Sequence, residues 1–301
     1  MATNPALAGL TGEMSMLNGL VPIGAPYRFG RRHPDIFSRH GYVHEAGAAV
    51  KRALKGRRSG PRFVIYGRAR SGSTLLVELL QQVEDIHCRG EVLHFGVLGP
   101  RAHLDRLADL RRAPVHGCKL LSYQLVEVQR MRSVGSFMRG LAQDGTLLIH
   151  LTRGTLAQAT SLSVAQQTER YEAKRGERTA RAPVHLDPQT FLQQVRMQLG
   201  LLQMERATLA GLPHMSVRYE SDLLAPEAHQ ATVDRICGRL GARRAPVQSP
   251  LRKLLPARFE EAVANADELI GRLQDAGLGW LIAEAADRSP DWAPEPAIAA
   301  E

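Results

Sequence analysis

Between the apolar run RFVIY, Arg62 to Tyr66, and the amphipathic stretch STLLVELLQQV, which starts at Ser73, lies the octet Gly67-Arg68-Ala69-Arg70-Ser71-Gly72-Ser73-Thr74. A glycine-containing turn that joins a buried strand to a helix aims backbone N–H groups at one point, where the helix dipole also favours an anion. The amides of Ser71, Gly72, Ser73 and Thr74, the Thr74 hydroxyl and the Arg70 guanidinium are therefore expected to hold a phosphate. A Walker A loop, G-x-x-x-x-G-K-[ST], would carry a lysine where this chain has Ser73. Triphosphate hydrolysis leans on that lysine and on magnesium held by a strand-terminal aspartate. The segment TLLIHLTR offers His150 and Arg153 there, and no aspartate. Taken alone, the octet also fits a polar turn between strand and helix.

A second pair of residues points to the same chemistry. Arg153 closes the apolar run Thr146 to Leu151, and Ser161 lies eight residues on, two turns into the following helix. An arginine fork and a serine hydroxyl so placed can converge on one phosphate. Lys119 lies near the end of another apolar run, PVHGCKLL, where a lysine is rarely placed for packing; it either faces a ligand or pairs with a buried carboxylate. His33, His40 and His44 invite a metal reading, since His40 and His44 have helical spacing, but no acid or cysteine completes a ligand set and no metal is expected.

Together the octet and the Arg153/Ser161 pair resemble the sulfotransferases that use 3'-phosphoadenylyl sulfate (PAPS). RSGSTLL, Arg70 to Leu76, is similar to their 5'-phosphosulfate loop, and Arg153 with Ser161 to their 3'-phosphate pair. Gly117-Cys118-Lys119 and LLIHLTRGTLAQATS bring the resemblance nearest to the bacterial trehalose 2-sulfotransferase type. The likeness runs from about Arg62 to Thr168, continues more thinly through VRYESDLL, with Tyr219 and Glu220, and SPLRKL, with Arg252 and Lys253, and is absent from residues 1 to 60. It implies a P-loop-like parallel sheet flanked by helices and the transfer of a sulfuryl group to a hydroxyl acceptor such as a sugar, glycolipid or nucleoside-type metabolite. The donor would be PAPS and the product adenosine 3',5'-bisphosphate (PAP), with no metal. Arg70, Ser71 to Thr74, Arg153, Ser161, Tyr219, Arg252 and Lys253 would hold the donor, and Arg70 and Lys119 would meet the leaving oxygen. Arg252 and Lys253 also fit an exposed basic turn.

The family keeps a catalytic glutamate near the segment Arg89-Gly90-Glu91-Val92-Leu93-His94, in a G-E-x-x-E pattern whose second acid is the base. Here that second position holds His94. Glu91 is the first choice and His94 the rival, because histidine titrates near working pH whereas Glu91 needs burial to become basic.

These residues need elements to hold them. Apolar runs at 62–66, 115–121, 146–151 and 214–219 alternate with helical periodicity, the pattern of an α/β chain with a parallel sheet. One helix is expected across QLVEVQRMRSVGSFMRGLAQ, one through LAQATSLSVAQQTERYEAKR, one from Asp187, a good N-cap before Pro188, to about Ala210, and two more in PEAHQATVDRICGRLG and PARFEEAVANADELIGRLQDAG. Residues 1–60 are expected to form an extension with one short helix, 61–282 the sulfotransferase domain, and 283–301 a disordered Ala/Pro/Glu-rich tail.

Composition sets the outer limits. The chain has 301 residues, 44% of them hydrophobic, enough for a sizeable core without disulfides, and no apolar run approaches the roughly 20 residues of a membrane span. Thirty-nine Lys plus Arg against 30 Asp plus Glu give +9, nearly all of it arginine, which suits a polyanionic ligand, nucleic acid or an anionic membrane surface. A nucleic-acid or membrane-surface binder would use KRALKGRRSGPR and Arg101 to Arg112, but 5% aromatic residues supply little stacking, so neither is expected as a partner. A degenerate P-loop kinase or NTPase is the other enzyme reading. Cys88, Cys118 and Cys237 form no paired spacing, and the N-terminus lacks a basic and then apolar leader, so a cytoplasmic location is expected; a homo-oligomer is compatible.

Overall fold

A computed structural model describes residues 43, 45–47, 49, 50, 53, 60–110, 113–170, 182–249 and 259–288. Five parallel strands form one sheet: β1 (Arg62–Gly67), β2 (Ile86–Glu91), β3 (Val115–Leu121), β4 (Thr146–Thr152) and β5 (His214–Arg218), in the order β2-β3-β1-β4-β5. Every residue of β3 is buried, as expected of a parallel sheet covered on both faces. Side chains alternate across β1. Phe63 and Ile65 pack with α1 (Ser73–Leu80) and α6 (Glu227–Leu240), while Val64 and Tyr66 face α3 (Val134–Gln143) and α5 (Pro188–Leu209). A third apolar cluster joins α4 (Thr155–Thr168) and α5 to the C-terminal helices α7 (Phe259–Ala262), α8 (Ala266–Asp275) and α9 (Trp280–Arg288).

The α/β parallel fold agrees with the sequence expectation, and several details differ from it. A helix α2 (Pro100–Asp109) is present where none was expected, and β2 lies where the sequence left open the start of a strand or a loop across the cleft. IHCRGE carries no apolar run because β2 is an edge strand, buried at alternate positions only. The helix expected across 124–143 is broken: a π-helical turn, Gln124–Val128, ends at Arg130 with φ 49, and Ser133 then caps α3 by accepting the Ser136 N–H. The helix expected across 256–277 is broken too, since the backbone around Val263 bonds instead to Val184 and Asn265 grips both backbone groups of Leu186. Residues 283–288, expected in a tail, continue α9, with Ala285 buried. Asp187 caps α5 as expected, through the Thr190 N–H. Ahead of the sheet, Glu45 accepts N–H groups of Leu98 and Gly99 at the start of α2 and pairs with Arg106.

The strand order fixes where a ligand can sit. From β1 the chain crosses through α1 to β2 at one edge, and from β4 through α4 and α5 to β5 at the other. Neighbouring strands whose crossovers leave in opposite directions open a crevice at their carboxyl ends. Gly67 ends β1 there, and Arg153 follows β4.

Candidate functional site

Two glycines shape the loop. A Cβ on Gly67 would lie 2.3 Å from the Leu151 carbonyl oxygen, so only glycine lets β4 pass this close. Gly72 precedes α1 with φ 93, and a Cβ there would lie 2.6 Å from the Tyr219 ring. No side chain caps α1 and no acid sits in its first turn, so its N–H groups keep their affinity for an anion. The Ser71 hydroxyl donates to the Arg68 carbonyl and shapes the loop from within, which leaves Ser71 its backbone for a ligand.

Beneath the loop lies a residue that the motif did not single out. Arg68, 1% exposed, donates to the carbonyls of Gln198 (3.1 Å) and Arg153 (3.0 Å) and has Nε 3.8 Å from the Glu205 carboxylate, which is fully buried and also meets His150 Nε2 at 3.2 Å. Gln158, on α4, donates to the Ala69 carbonyl. The signal in the sequence is a second arginine in the octet, two residues before Arg70.

Above it the expected donor residues meet. Arg70 Nε donates to Ser161 Oγ at 3.2 Å, and Arg153 Nη1 donates to the Arg70 carbonyl at 3.0 Å. Arg153 is 9% exposed, its guanidinium lies 4.4 Å from the Tyr219 ring centre, and its buried Nε has no hydrogen-bond partner among the described residues. Burial pulls the Arg153 guanidinium below the usual arginine range, against the opposing pull of Tyr219 and Glu220. Glu220 accepts the Gly154 N–H at 2.7 Å at the start of α4. A desolvated guanidinium with an unused donor, beside an uncapped helix, suits phosphate oxygens.

A second cluster lies at the ends of β2 and β3. The ladder between these strands shifts register between Arg89 and Glu91, and Glu91 ends opposite Lys119. Lys119 Nζ lies 3.0 Å from Glu91 Oε1 and donates to Thr74 Oγ1 at 3.3 Å, which links this cluster to the phosphate loop. Gln124, from the π-helical turn, donates to Glu91 Oε2 at 2.6 Å. Of the two readings of Lys119, the pairing with a carboxylate is the one seen. His94 is exposed; its Nδ1 donates to the Glu91 carbonyl and its ring meets Phe95 edge-on. A cleft of about 360 Å³ runs along the outer edge of β2, lined by Gln81, His87, Cys88, Arg89, Gly90, Glu91 and Val92.

Arg252, Lys253, His33, His40 and His44 lie outside the described residues. Among the described residues no three His, Cys, Asp or Glu side chains are grouped to hold a metal ion, and no helix is long and apolar enough to cross a membrane.

No family model matches the sequence, and no curated protein matches it. Among solved structures the chain is similar to the crystal structure of a sulfotransferase from Alicyclobacillus acidocaldarius, at 14% identity and a TM-score of 0.43, over 76% of this chain and 96% of that one.

Proposed function

We propose that this chain is a sulfotransferase that moves a sulfuryl group from PAPS to a hydroxyl of a small-molecule acceptor, a sugar, glycolipid or nucleoside-type metabolite. The observation that carries the reading is the contact of Arg70 with both Ser161 and Arg153, which joins the two motif halves into one cradle. A nucleotide with one phosphate group at each of two ribose positions and no γ-phosphate fits a loop that lacks the Walker lysine and a β4 that ends without an acid.

In this reading Arg153, Ser161 and Tyr219 hold the 3'-phosphate, and Arg70 with the amides of Ser71 to Thr74 holds the 5'-phosphosulfate. Arg252 and Lys253 are proposed as further donor-binding residues. Glu91 is the general base and takes the acceptor proton as the new O–S bond forms. The S–O bond to the 5'-phosphate breaks, and its electron pair stays on PAP, where Lys119 and Arg70 stabilise the charge. Pairing of Lys119 with both Glu91 and Thr74 supports this assignment, since it spans the distance from base to donor loop. His94, turned to a backbone carbonyl, is the weaker candidate for the base. The cleft along β2 reaches Glu91 and is proposed as the acceptor's route. Three buried, unpaired cysteines suit a reducing cytoplasm.

Calorimetric titration with PAP, ATP and AMP tests the reading. Micromolar binding of PAP alone is expected, weakened about 10- to 100-fold or more in Arg153→Ala through loss of charged hydrogen bonds. Equal binding of ATP and PAP, or magnesium-dependent turnover of ATP, would favour a degenerate P-loop kinase instead.

A further inference from the structure

We infer that Gln124 is a positioning residue that holds the Glu91 carboxylate in one orientation. The inference rests on the proposed role of Glu91 as base and adds a residue that the donor and base motifs do not contain. Gln124 is fully buried, and both ends of its amide are committed. Its Oε1 accepts the Leu121 N–H at 3.3 Å, where β3 ends, so its NH2 end must face Glu91 Oε2, 2.6 Å away, with the Tyr123 hydroxyl at 3.5 Å on the same nitrogen. An NH2 group can only donate, and a carboxylate accepts it best when ionised. Lys119 holds the other oxygen, Oε1, at 3.0 Å. With one oxygen fixed from β3 and the other from the turn after it, rotation of the carboxylate is restricted.

The local backbone is built for this contact. Gln124 opens a π-helical turn, Gln124–Val128, a rare conformation often found at functional sites. Gln129 closes the turn by donating to the carbonyls of Leu93 and Phe95 and accepting the Val97 N–H, which fastens the segment that follows Glu91. The ionisable groups in contact with Glu91 or with its partner Gln124 are Lys119 on β3, Tyr123 beside the Gln124 amide, and His94, whose ring bonds the Glu91 carbonyl; Glu127 lies on the same turn as Gln124.

The test compares wild type with Gln124→Leu, Gln124→Glu and the control Glu127→Gln. Turnover is read as PAP released from PAPS with water or an added alcohol as acceptor, and donor affinity by PAP calorimetry. Gln124→Leu is expected to lower kcat about tenfold or more while PAP affinity stays within about twofold. Gln124→Glu keeps an acceptor for the Leu121 N–H, so it guards against a mere folding defect. It sets a second carboxyl against Glu91, and the acid limb of the pH–rate profile should move up by about one unit or more, a shift absent from Glu127→Gln. The Gln124 side-chain amide proton, followed by NMR in the protein without ligand, should titrate with pH in wild type and lose that titration in Glu91→Gln.

Unchanged kcat and pH profile in both Gln124 variants overturn the inference, as does an equal loss of kcat and PAP affinity, which marks a structural role. Should wild type fail to bind PAP or turn over PAPS, the sulfotransferase reading falls, and Gln124 loses its catalytic role with it even if the NMR contact is seen. Binding and turnover intact with an amide proton blind to pH would sink the Gln124 inference alone.

Discussion

At the phosphate end the loop is tied down by Arg68, Gln158 and Arg153, and the partners they grip are backbone carbonyls of Gln198, Arg153, Ala69 and Arg70. At the acceptor end Glu91 is held by Lys119 and Gln124, and the contacts run from side chain to side chain. The two constructions suit different tasks. Under the proposed function, a donor of fixed shape would be met by a loop whose backbone is clamped at several carbonyls. A base must exchange a proton and tolerate a changing partner, which fits the proposed role of Glu91, held by two side chains that can be replaced one at a time. Variants at the acceptor end should therefore change rate with little effect on donor binding, whereas variants of Arg153 and Ser161 should chiefly weaken donor binding.

The largest expected effect lies at the acceptor end. Glu91→Gln keeps the size of the side chain and removes the proposed base, so the proposed turnover of PAPS should fall by about 10²- to 10⁴-fold, with PAP affinity within about twofold of wild type. Steady-state kinetics beside calorimetry read both quantities. A parallel loss of affinity would mean that the two ends are one mechanical unit and the contrast drawn above is wrong.

The contrast also explains what could be read in the sequence. Gly67 to Thr74 and the Arg153/Ser161 pair were legible because each sits on one continuous segment next to a strand with a clear apolar pattern. The joining contact, Arg70 with Ser161, follows once β1 and β4 are neighbours. Glu91 was only a choice between neighbours, because its placement depends on a register shift in an edge strand whose sequence, IHCRGE, does not look like a strand. Gln124 was hidden inside a stretch with helical periodicity, and nothing local signals that its first turn is π-helical. Arg68 and Glu205 were missed for another reason. A buried charge is recognisable only when its partner is known, and these two lie on different elements far apart in the chain.

A smaller effect should appear in stability, at Glu127 on the π-helical turn that carries Gln124. Burial raises the Glu127 carboxyl from its ordinary 4.5 to about 7, and its buried Oε1 has no hydrogen-bond partner among the described residues. Between those two pH values the folded chain holds a proton that the unfolded chain has lost. Stability contributed by this group is therefore full below about 4.5 and declines as pH rises through about 7. Glu127→Gln should remove that decline and stabilise the protein at pH 8 by at most about 3 kcal/mol. Urea denaturation of both proteins at pH 5 and pH 8 measures it. A difference between variant and wild type that is the same at both pH values would show that Glu127 does not titrate differently on folding.

The smallest effect expected is that of Ser161→Ala, and it is the sharpest probe of how the phosphate end divides its labour. Ser161 is buried and its hydroxyl accepts from Arg70 Nε, whereas Arg153 contributes a guanidinium stacked on Tyr219 and bonded to the loop backbone. Loss of one hydroxyl contact should weaken PAP binding by about three- to tenfold, less than the loss of Arg153. Because Ser161 and Arg70 touch, their effects should not add: Arg70→Ala and Ser161→Ala combined should cost less than the sum of the two alone. Additive losses by calorimetry would mean that each grips the ligand without help from the other, and the Arg70–Ser161 contact would then be incidental to the cradle rather than the joint that closes it.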